Sequence, residues 1–345
     1  MNKQIKVGIV GVGLIAHARH IPNCKIQPDL FKLAAVCDLN EKIGLKVAKE
    51  FNAKYYKDVT QICKDKDVEL LVIAVPGALH RDFGIMALEN GKDVLMEKPV
   101  TLNTAQTEEL ITCAKNAGRK LFVHHNRRWN NDFLTVKKVL AQETLGDVFI
   151  IEEKVSKYSR VRGYTEGENI DWRLTQKAGG GRLNEWGTHL IDQMLLIADS
   201  KPISVFADLK NKCWLKDAED HVNIMIKFES GLLGKIEISQ SCRVLMIPRW
   251  YICGTKGTLM GIFGIEGETK FVKEGFTMKV GIEEGEEKEI PVEMEKPTGN
   301  ELYQNIYEVI RNNAEPAIKL EQVRKVMTVV DAARKSNETG KVILL

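Results

Sequence analysis

The alternation of short apolar runs with helix-like segments over residues 1–125 constrains the fold more than any other feature of this chain. The runs predict strands at Ile5 to Val10, Lys32 to Cys37, Leu70 to Val75, Asp93 to Met96 and Lys120 to Val123. The segments between them predict helices, among them Glu41 to Phe51, Arg81 to Asn90 and Thr104 to Ala117. Strands that alternate with helices form parallel sheets. The sequence therefore predicts an α/β domain with a doubly wound parallel sheet.

The pattern changes after about residue 145, where strand-like segments follow one another with few helices between them. These segments are Val148 to Tyr158, Ile203 to Lys210, Val222 to Phe228 and Leu233 to Ser241. Consecutive strands without crossover helices predict a large, mostly antiparallel open sheet in a second domain of α+β type. A chain of 345 residues is long enough for both domains. We place them at residues 1–123 and 124–345.

Composition excludes several function classes. The 50 basic and 47 acidic residues nearly cancel, which gives no argument for nucleic-acid binding. The longest apolar stretch, Leu70 to Pro76, is far too short to span a membrane. The seven cysteines are odd in number and contain no CxxC pair, which indicates reduced thiols and no structural zinc. We therefore expect a cytoplasmic protein that binds neither nucleic acid, membrane nor metal.

Glycines and a carboxylate at the ends of the first two strands predict a dinucleotide site. The G-x-G-x-x-A sequence from Gly11 to Ala16 follows the first strand directly, as the fingerprint requires. Gly11 allows the tight turn, and Gly13 lets the backbone approach a pyrophosphate. Asp38 ends the second strand, where a carboxylate accepts hydrogen bonds from ribose hydroxyls and repels a 2′-phosphate. No basic residue follows at once, so we expect NAD rather than NADP. His20, just past the loop, is expected in a surface or packing role rather than in the chemistry.

Two polar segments carry the residues that suggest catalysis. Lys98 follows a predicted strand, at the edge of the sheet where α/β proteins bind ligands. His189 lies on a helix pattern that begins after the glycines 179–181, four residues after Glu185 and three before Asp192. On an α-helix these three side chains share one face, where a carboxylate orients an imidazole and raises its basicity.

With these motifs the chain resembles the Gfo/Idh/MocA oxidoreductase family, which includes glucose–fructose oxidoreductase and inositol dehydrogenase. The resemblance covers nearly the whole chain and is carried by Gly11 to Ala16, Ala74-Val75-Pro76 with His80, Glu97-Lys98-Pro99, Asn126-Arg127-Arg128-Trp129, and the glycine-led segment ending in His189 and Asp192. It implies a Rossmann domain up to about residue 123 and a second domain on an open sheet. It also implies an active site between the domains, a cis bond before Pro99, and a homodimer or homotetramer formed through the second sheet.

The resemblance also implies roles for individual residues. The cofactor contacts it implies are Gly11, Gly13, Leu14, Ile15, Asp38, Pro76, His80, Glu97, Lys98 and Asn126. The substrate contacts it implies are Trp172, Arg173, Glu185, His189 and Asp192. Catalysis falls to Lys98, His189 and Glu185, although relatives usually carry Asp at the last position. His189 takes the proton of a secondary alcohol of an inositol, sugar or glycoside, and Lys98 stabilises the charge that develops on its oxygen.

Two other function classes stay open beside the NAD(P)-dependent dehydrogenase. An NAD-dependent glycosidase or lyase would oxidise one sugar carbon transiently, eliminate a leaving group and release no net NADH. A regulator of this fold would bind a sugar or nucleotide without turning it over. The presence of both Lys98 and His189 favours an enzyme over a regulator.

Overall fold

The computed structural model describes residues 4–158, 172–215, 217–243, 248–262, 275–282 and 286–345. The chain forms two compact units. Unit 1 comprises Met1–His124 and Gly299–Arg324, and unit 2 comprises His125–Thr298 and Lys325–Leu345. The chain first passes from unit 1 to unit 2 after His124, close to the predicted division between residues 123 and 124. The prediction differs from the structure at residues 299–324, which it placed in the second domain.

Unit 1 is built on a parallel sheet. Its strands are β1 (Ile5–Val10), β2 (Phe31–Cys37), β3 (Lys54–Tyr56), β4 (Leu70–Ile73), β5 (Asp93–Met96) and β6 (Leu121–Val123). The helices between them are α1 (Ile21–Ile26), α2 (Glu41–Phe51), α3 (Val59–Lys64), α4 (His80–Glu89) and α5 (Thr104–Asn116). The strand order β3-β2-β1-β4-β5-β6 is that of a doubly wound sheet and confirms the predicted class. Every residue of β4 is buried, as expected for a central parallel strand.

The carboxyl ends of the parallel strands meet at one edge of this sheet. At that edge β1 leads into Gly11, β2 into Asp38, β4 into residues 74–76, β5 into Glu97 and β6 into His124. The strands pair in parallel register, so these loops lie side by side. Parallel topology therefore brings together motifs that are far apart in the sequence.

Unit 2 contains a second sheet. Among the described residues its strands are β7 (Val148–Ser156), β8 (Pro202–Lys210), β9 (His221–Phe228), β10 (Leu233–Ser239), β11 (Trp250–Gly254), β12 (Gly257–Ile262), β13 (Gly275–Ile282), β14 (Glu286–Ile290) and β15 (Ile343–Leu344). The strand order is β14-β13-β12-β11-β7-β10-β9-β8-β15. Only β7 and β10 pair in parallel within this described sheet, which confirms the prediction of a mostly antiparallel open sheet.

The remaining helices are α6 (Asn131–Ala141), α7 (Thr188–Ala198), α8 (Glu301–Asn312) and α9 (Leu320–Thr339). None of the helices in the described ranges combines the length and the apolar composition needed to cross a bilayer.

Aromatic packing explains why α8 belongs to unit 1. Tyr303 and Tyr307 lie one turn apart on α8, and each is only 1% exposed. Both rings meet Phe31 of β2 edge to face, with centroid distances of 5.3 Å and 6.0 Å. Burial of three aromatic rings stabilises the attachment of the helix to the sheet. A helix pattern shows which face of the helix is apolar but not which sheet that face covers. The predicted boundary therefore did not show that the chain returns to unit 1 at residues 299–324.

Candidate functional site

The loop after β1 has the backbone that the glycine fingerprint requires. Gly11 has a φ of +87°, and a Cβ there would collide with the carbonyl oxygen of Ala74. A Cβ on Gly13 would meet no heavy atom within 4 Å, so the space beside this residue is open to a ligand. Helical backbone begins at Leu14, which is 59% exposed, and Ile15 follows it, partly buried. The free N–H groups at such a helix start attract a pyrophosphate, so the loop fits a dinucleotide.

Asp38 is bonded to this loop and keeps capacity for a ligand. Its Oδ2 accepts a hydrogen bond from the Val12 amide at 2.7 Å, and its Oδ1 accepts one from the Asn40 amide at 2.7 Å. Each carboxylate oxygen can accept a further hydrogen bond. Leu39, the next residue, is 83% exposed. The geometry is therefore compatible with the predicted contact to ribose hydroxyls.

The turn formed by Glu97, Lys98 and Pro99 after β5 is anchored by a buried carboxylate. The Lys98–Pro99 peptide bond is cis. Glu97 Oε1 lies 3.0 Å from His20 Nε2 and 2.7 Å from His124 Nδ1. Its Oε2 accepts a hydrogen bond from the Lys98 amide at 3.1 Å. Glu97, predicted as a cofactor contact, thus binds the backbone of the predicted catalytic lysine.

The protonation states of this cluster follow from its burial and its hydrogen bonds. Burial by itself raises the pKa of the Glu97 carboxyl, but the electrostatic interaction with His124 and the hydrogen bonds from both imidazoles outweigh it and hold that pKa well below its usual value. Burial lowers the pKa of His20, and the bond to Glu97 opposes this shift. Near neutral pH, Glu97 is therefore a carboxylate and His20 a neutral imidazole.

His80 anchors the other side of the turn. Its Nδ1 lies 2.7 Å from the carbonyl oxygen of Pro99, and its Nε2 lies 2.9 Å from that of Val75. The ring is 1% exposed. Pro76, the second cofactor residue predicted here, is partly buried and precedes the short 3-10 helix Gly77–Leu79. Burial lowers the pKa of His80, so the neutral ring has one N–H and donates to one of these two carbonyl oxygens while it lies against the other. His80 therefore lies between the loop after β4 and the turn that carries Lys98.

The cluster of His20, Glu97 and His124 also contains the atom types of a metal site. Its ligand atoms lie within 4.8 Å of one another, which is the only such group among the described residues. Glu97 and His20 already have hydrogen-bond partners, since the second ring nitrogen of His20 meets the hydroxyl of Tyr303 at 2.7 Å and Glu97 accepts from His20 and from the Lys98 amide. The absence of a bound metal stays a prediction.

In unit 2, the glycines before the predicted catalytic helix allow close packing of two backbone segments. A Cβ on Gly180 would collide with the carbonyl oxygen of Arg173, and Gly181 has a φ of +97°. The Gly181 amide donates to that same carbonyl at 3.2 Å. Trp172 and Arg173, both predicted substrate contacts, lie in the 3-10 helix Trp172–Leu174, with the guanidinium 4.5 Å from the indole centroid.

The helical segment that carries His189 departs from α-helical geometry. A π-helix spans Leu183–Gly187, and α7 begins only at Thr188. The prediction assumed α-helical spacing from Glu185 to His189, whereas Glu185 lies in the π-helical turn. Four residues are close to one turn in either geometry, so the shared face of the two side chains stays a prediction. Glu185 Oε2 lies 2.5 Å from Arg182 Nη1. His189 is buried in unit 2, with its ring 5.9 Å from that of His125 at an interplanar angle of 80°.

Asp192 forms a buried ion pair in unit 2. Arg128 donates from Nε to Oδ2 at 2.8 Å and from Nη2 to Oδ1 at 2.6 Å. Both side chains are under one-tenth exposed. His125 Nδ1 lies 3.9 Å from Asp192 Oδ2, so the ion pair lies next to the ring that contacts His189. The predicted substrate contact of Asp192 stays a prediction.

Asn126, the last predicted cofactor residue, lies partly buried at the start of the 3-10 helix Asn126–Trp129.

Sequence reasoning missed several residues of these clusters, for two different reasons. His124 and His125 directly follow β6, so the strand-end argument that selected Lys98 could have selected them. His20 was predicted to lie at the surface or to pack, and nothing near Tyr303 in the sequence indicates that its hydroxyl meets the ring of His20. Such contacts depend on tertiary structure.

Comparisons with known proteins match both units. The family model described as "Oxidoreductase family, NAD-binding Rossmann fold" matches residues 5–125, and the model of the GFO/IDH/MocA C-terminal domain matches residues 133–260. Scyllo-inositol 2-dehydrogenase (NADP(+)) IolW of Bacillus subtilis is 27% identical, over 99% of this chain and 96% of that protein. Trans-1,2-dihydrobenzene-1,2-diol dehydrogenase of Xenopus laevis is 27% identical, over 60% of this chain and 59% of that protein.

A solved structure extends the likeness to the whole fold. The crystal structure of an NAD-binding protein from Listeria innocua matches with a TM-score of 0.87 and 27% sequence identity. The match covers 99% of this chain and 97% of that chain.

The buried ion pair between Arg128 and Asp192 leads to a prediction about the stability of the protein. We expect Arg128→Met to lower the free energy of unfolding by about 3–5 kcal/mol, because it leaves the Asp192 carboxylate buried without its cation. Urea unfolding followed by circular dichroism measures this loss. The double variant Arg128→Met with Asp192→Asn should recover much of it, since the buried charge is then removed. Equal destabilisation in the single and double variants would contradict this account.

Proposed function

Since the chain belongs to the GFO/IDH/MocA family of NAD(P)-dependent oxidoreductases, we propose that it is an NAD-dependent dehydrogenase of a secondary alcohol in an inositol, sugar or glycoside. The observation that carries the proposal is the turn from Glu97 to Pro99, anchored at the strand-end edge that also bears the dinucleotide loop. Similarity to enzymes named as an inositol dehydrogenase and a diol dehydrogenase supports the alcohol class.

In the proposed mechanism two side chains act on one hydroxyl group. His189 takes the hydroxyl proton, because an imidazole titrates close to working pH. Lys98 donates a hydrogen bond to the same oxygen and stabilises its growing negative charge. The nicotinamide, when bound, supplies the hydride acceptor.

Further residues bind and orient in this proposal. Trp172 and Arg173 contact the sugar ring, and Glu185 accepts hydrogen bonds from its neighbouring hydroxyls. Asp192, with its charge balanced by Arg128, fixes the environment of His125 and His189 in unit 2. Asn126 contributes to cofactor binding. Assembly of copies through the second sheet stays a prediction from the family resemblance.

The preference for NAD over NADP rests on Asp38. A carboxylate at this position accepts hydrogen bonds from the ribose hydroxyls of NAD and repels a 2′-phosphate. The open space beside Gly13 and the two backbone bonds to Asp38 support this placement of the cofactor. The Bacillus subtilis relative is named as an NADP(+) enzyme, so the preference is one to measure in this protein.

The proposed reaction predicts net reduction of NAD⁺ by one class of polyol. Purified protein is incubated with NAD⁺ or NADP⁺ and with inositols, free aldoses and glycosides, and the absorbance of reduced nicotinamide is followed. Release of an aglycone from a glycoside without net NADH would instead indicate a redox-assisted glycosidase. If neither assay detects activity and NAD is nevertheless tightly bound, the protein would be a regulator.

The role of Lys98 predicts a specific loss of turnover. Lys98→Met should lower kcat about 100- to 1,000-fold, because it removes the donor that stabilises the alkoxide. The dissociation constant for NAD⁺, measured by calorimetry, should change little. Lys115→Met, at an exposed lysine of α5, is the matched control and should keep wild-type turnover. Near-wild-type turnover of Lys98→Met would refute the assignment.

The role of Asp38 predicts a change in cofactor preference. Asp38→Ser should lower kcat/KM for NAD⁺ about tenfold, because it removes a charged hydrogen-bond acceptor, and it should raise the relative rate with NADP⁺. Steady-state kinetics with both cofactors measure the ratio. The exposed Asp29→Ser serves as the control and should leave that ratio unchanged. Wild-type protein that uses NADP⁺ alone would contradict the argument.

A further inference from the structure

We propose that Tyr303 and His20 are positioning residues that hold the backbone of Lys98 through the carboxylate of Glu97. The contacts that carry this relay all lie within unit 1. Its catalytic consequence, though not the relay itself, rests on the function proposed above for Lys98.

The chemistry of the three groups permits one direction of hydrogen bonding. A carboxylate only accepts, so the Nε2 of His20 must donate its proton to Glu97. The Nδ1 of a neutral His20 must then accept, so the hydroxyl of Tyr303 must donate to it. Burial raises the pKa of Tyr303 well above its usual value, which keeps this hydroxyl protonated. Tyr303 therefore selects the tautomer of His20 that binds Glu97.

Glu97 passes this constraint on to the lysine. Its Oε1 accepts from His20 and His124, while its Oε2 accepts from the Lys98 amide. The residue is 4% exposed, so rotation of the carboxylate would leave buried donors without an acceptor. The two imidazoles thus fix the orientation of the carboxylate, and the carboxylate fixes the Lys98 amide.

The far side of the turn is anchored separately. The Nδ1 of His80 lies 2.7 Å from the carbonyl oxygen of Pro99. This contact involves none of the atoms of the relay. Loss of the relay should therefore loosen the turn at Lys98 without releasing it at Pro99.

Tyr307 provides a matched control on the same helix. It lies one turn after Tyr303, has the same 1% exposure and packs on the same ring, Phe31. Its hydroxyl is buried and has no hydrogen-bond partner among the described residues. Replacement of either tyrosine by phenylalanine removes one buried oxygen and keeps the ring. Only the change at Tyr303 removes a donor to His20.

The test compares Tyr303→Phe with Tyr307→Phe in the full chain. We expect hydrogen–deuterium exchange at the Lys98 amide, read by mass spectrometry with residue-level fragmentation, to become about threefold to tenfold faster in Tyr303→Phe only. With scyllo-inositol and NAD⁺ as probes, kcat should fall by a similar factor. The dissociation constant for NAD⁺ should stay within about twofold of the wild-type value, since no hydrogen bond of the relay involves an amide of the glycine loop at residues 11–16.

The deuterium isotope effect on kcat, measured with perdeuterated scyllo-inositol, should rise in Tyr303→Phe, because a misplaced lysine slows the chemical step. Unchanged exchange at Lys98, or equal acceleration in both variants, would overturn the relay. Slower turnover without faster exchange would overturn it as well. If the wild-type protein oxidises none of the alcohols in the screen while exchange still separates the two variants, the proposed function fails and the relay stands.

Discussion

The buried carboxylate of Glu97 is the interaction on which the order of the candidate site in unit 1 depends. A buried charge is costly unless hydrogen bonds and nearby positive charge compensate for it. Here the donors come from separate segments, with His20 after the glycine loop and His124 after β6. The requirement for all of them at once fixes the strand ends relative to one another. It also fixes the lysine that follows, whose own amide is one of the donors.

In unit 2, buried charges are also compensated by neighbouring groups, and more charged side chains take part. Arg249 lies 2.8 Å from Glu153 and 3.4 Å from Asp132, and the indole of Trp250 donates to Asp132 at 2.9 Å. Burial raises the pKa of Glu153 to about 8, although Arg249 opposes the shift. Protonation of Glu153 near neutral pH leaves Arg249 and Asp132 as a balanced pair. The ion pair between Arg128 and Asp192 is balanced in the same way, so these two buried clusters approach neutrality.

The glycines of the candidate site are the residues whose structural role follows most directly from the sequence, because only a residue without a Cβ fits at these positions. Gly11 needs a positive φ and the close carbonyl of Ala74, and Gly180 lies against the carbonyl of Arg173. Any Cβ at these points would collide with backbone, which cannot move aside as a flexible side chain can. The prediction of close backbone approach was therefore possible from the residue type alone. The π-helix at Leu183–Gly187 had no such signal, so the sequence-based prediction assumed an α-helix throughout the segment from Glu185 to His189.

The sequence by itself determined the fold class, the dinucleotide loop, Asp38 and the placement of Lys98 at a strand end. These features depend on local periodicity and on the rule that parallel strands share one carboxyl edge. Tertiary structure alone decided the partners of the buried polar atoms. The hydroxyl of Tyr303 reaches the ring of His20, and the guanidinium of Arg128 reaches Asp192, because α8 and α7 pack where their apolar faces are covered. A sequence pattern states which face a helix buries, but the surface that covers it, and hence the partner of each buried polar group, depends on packing between distant segments.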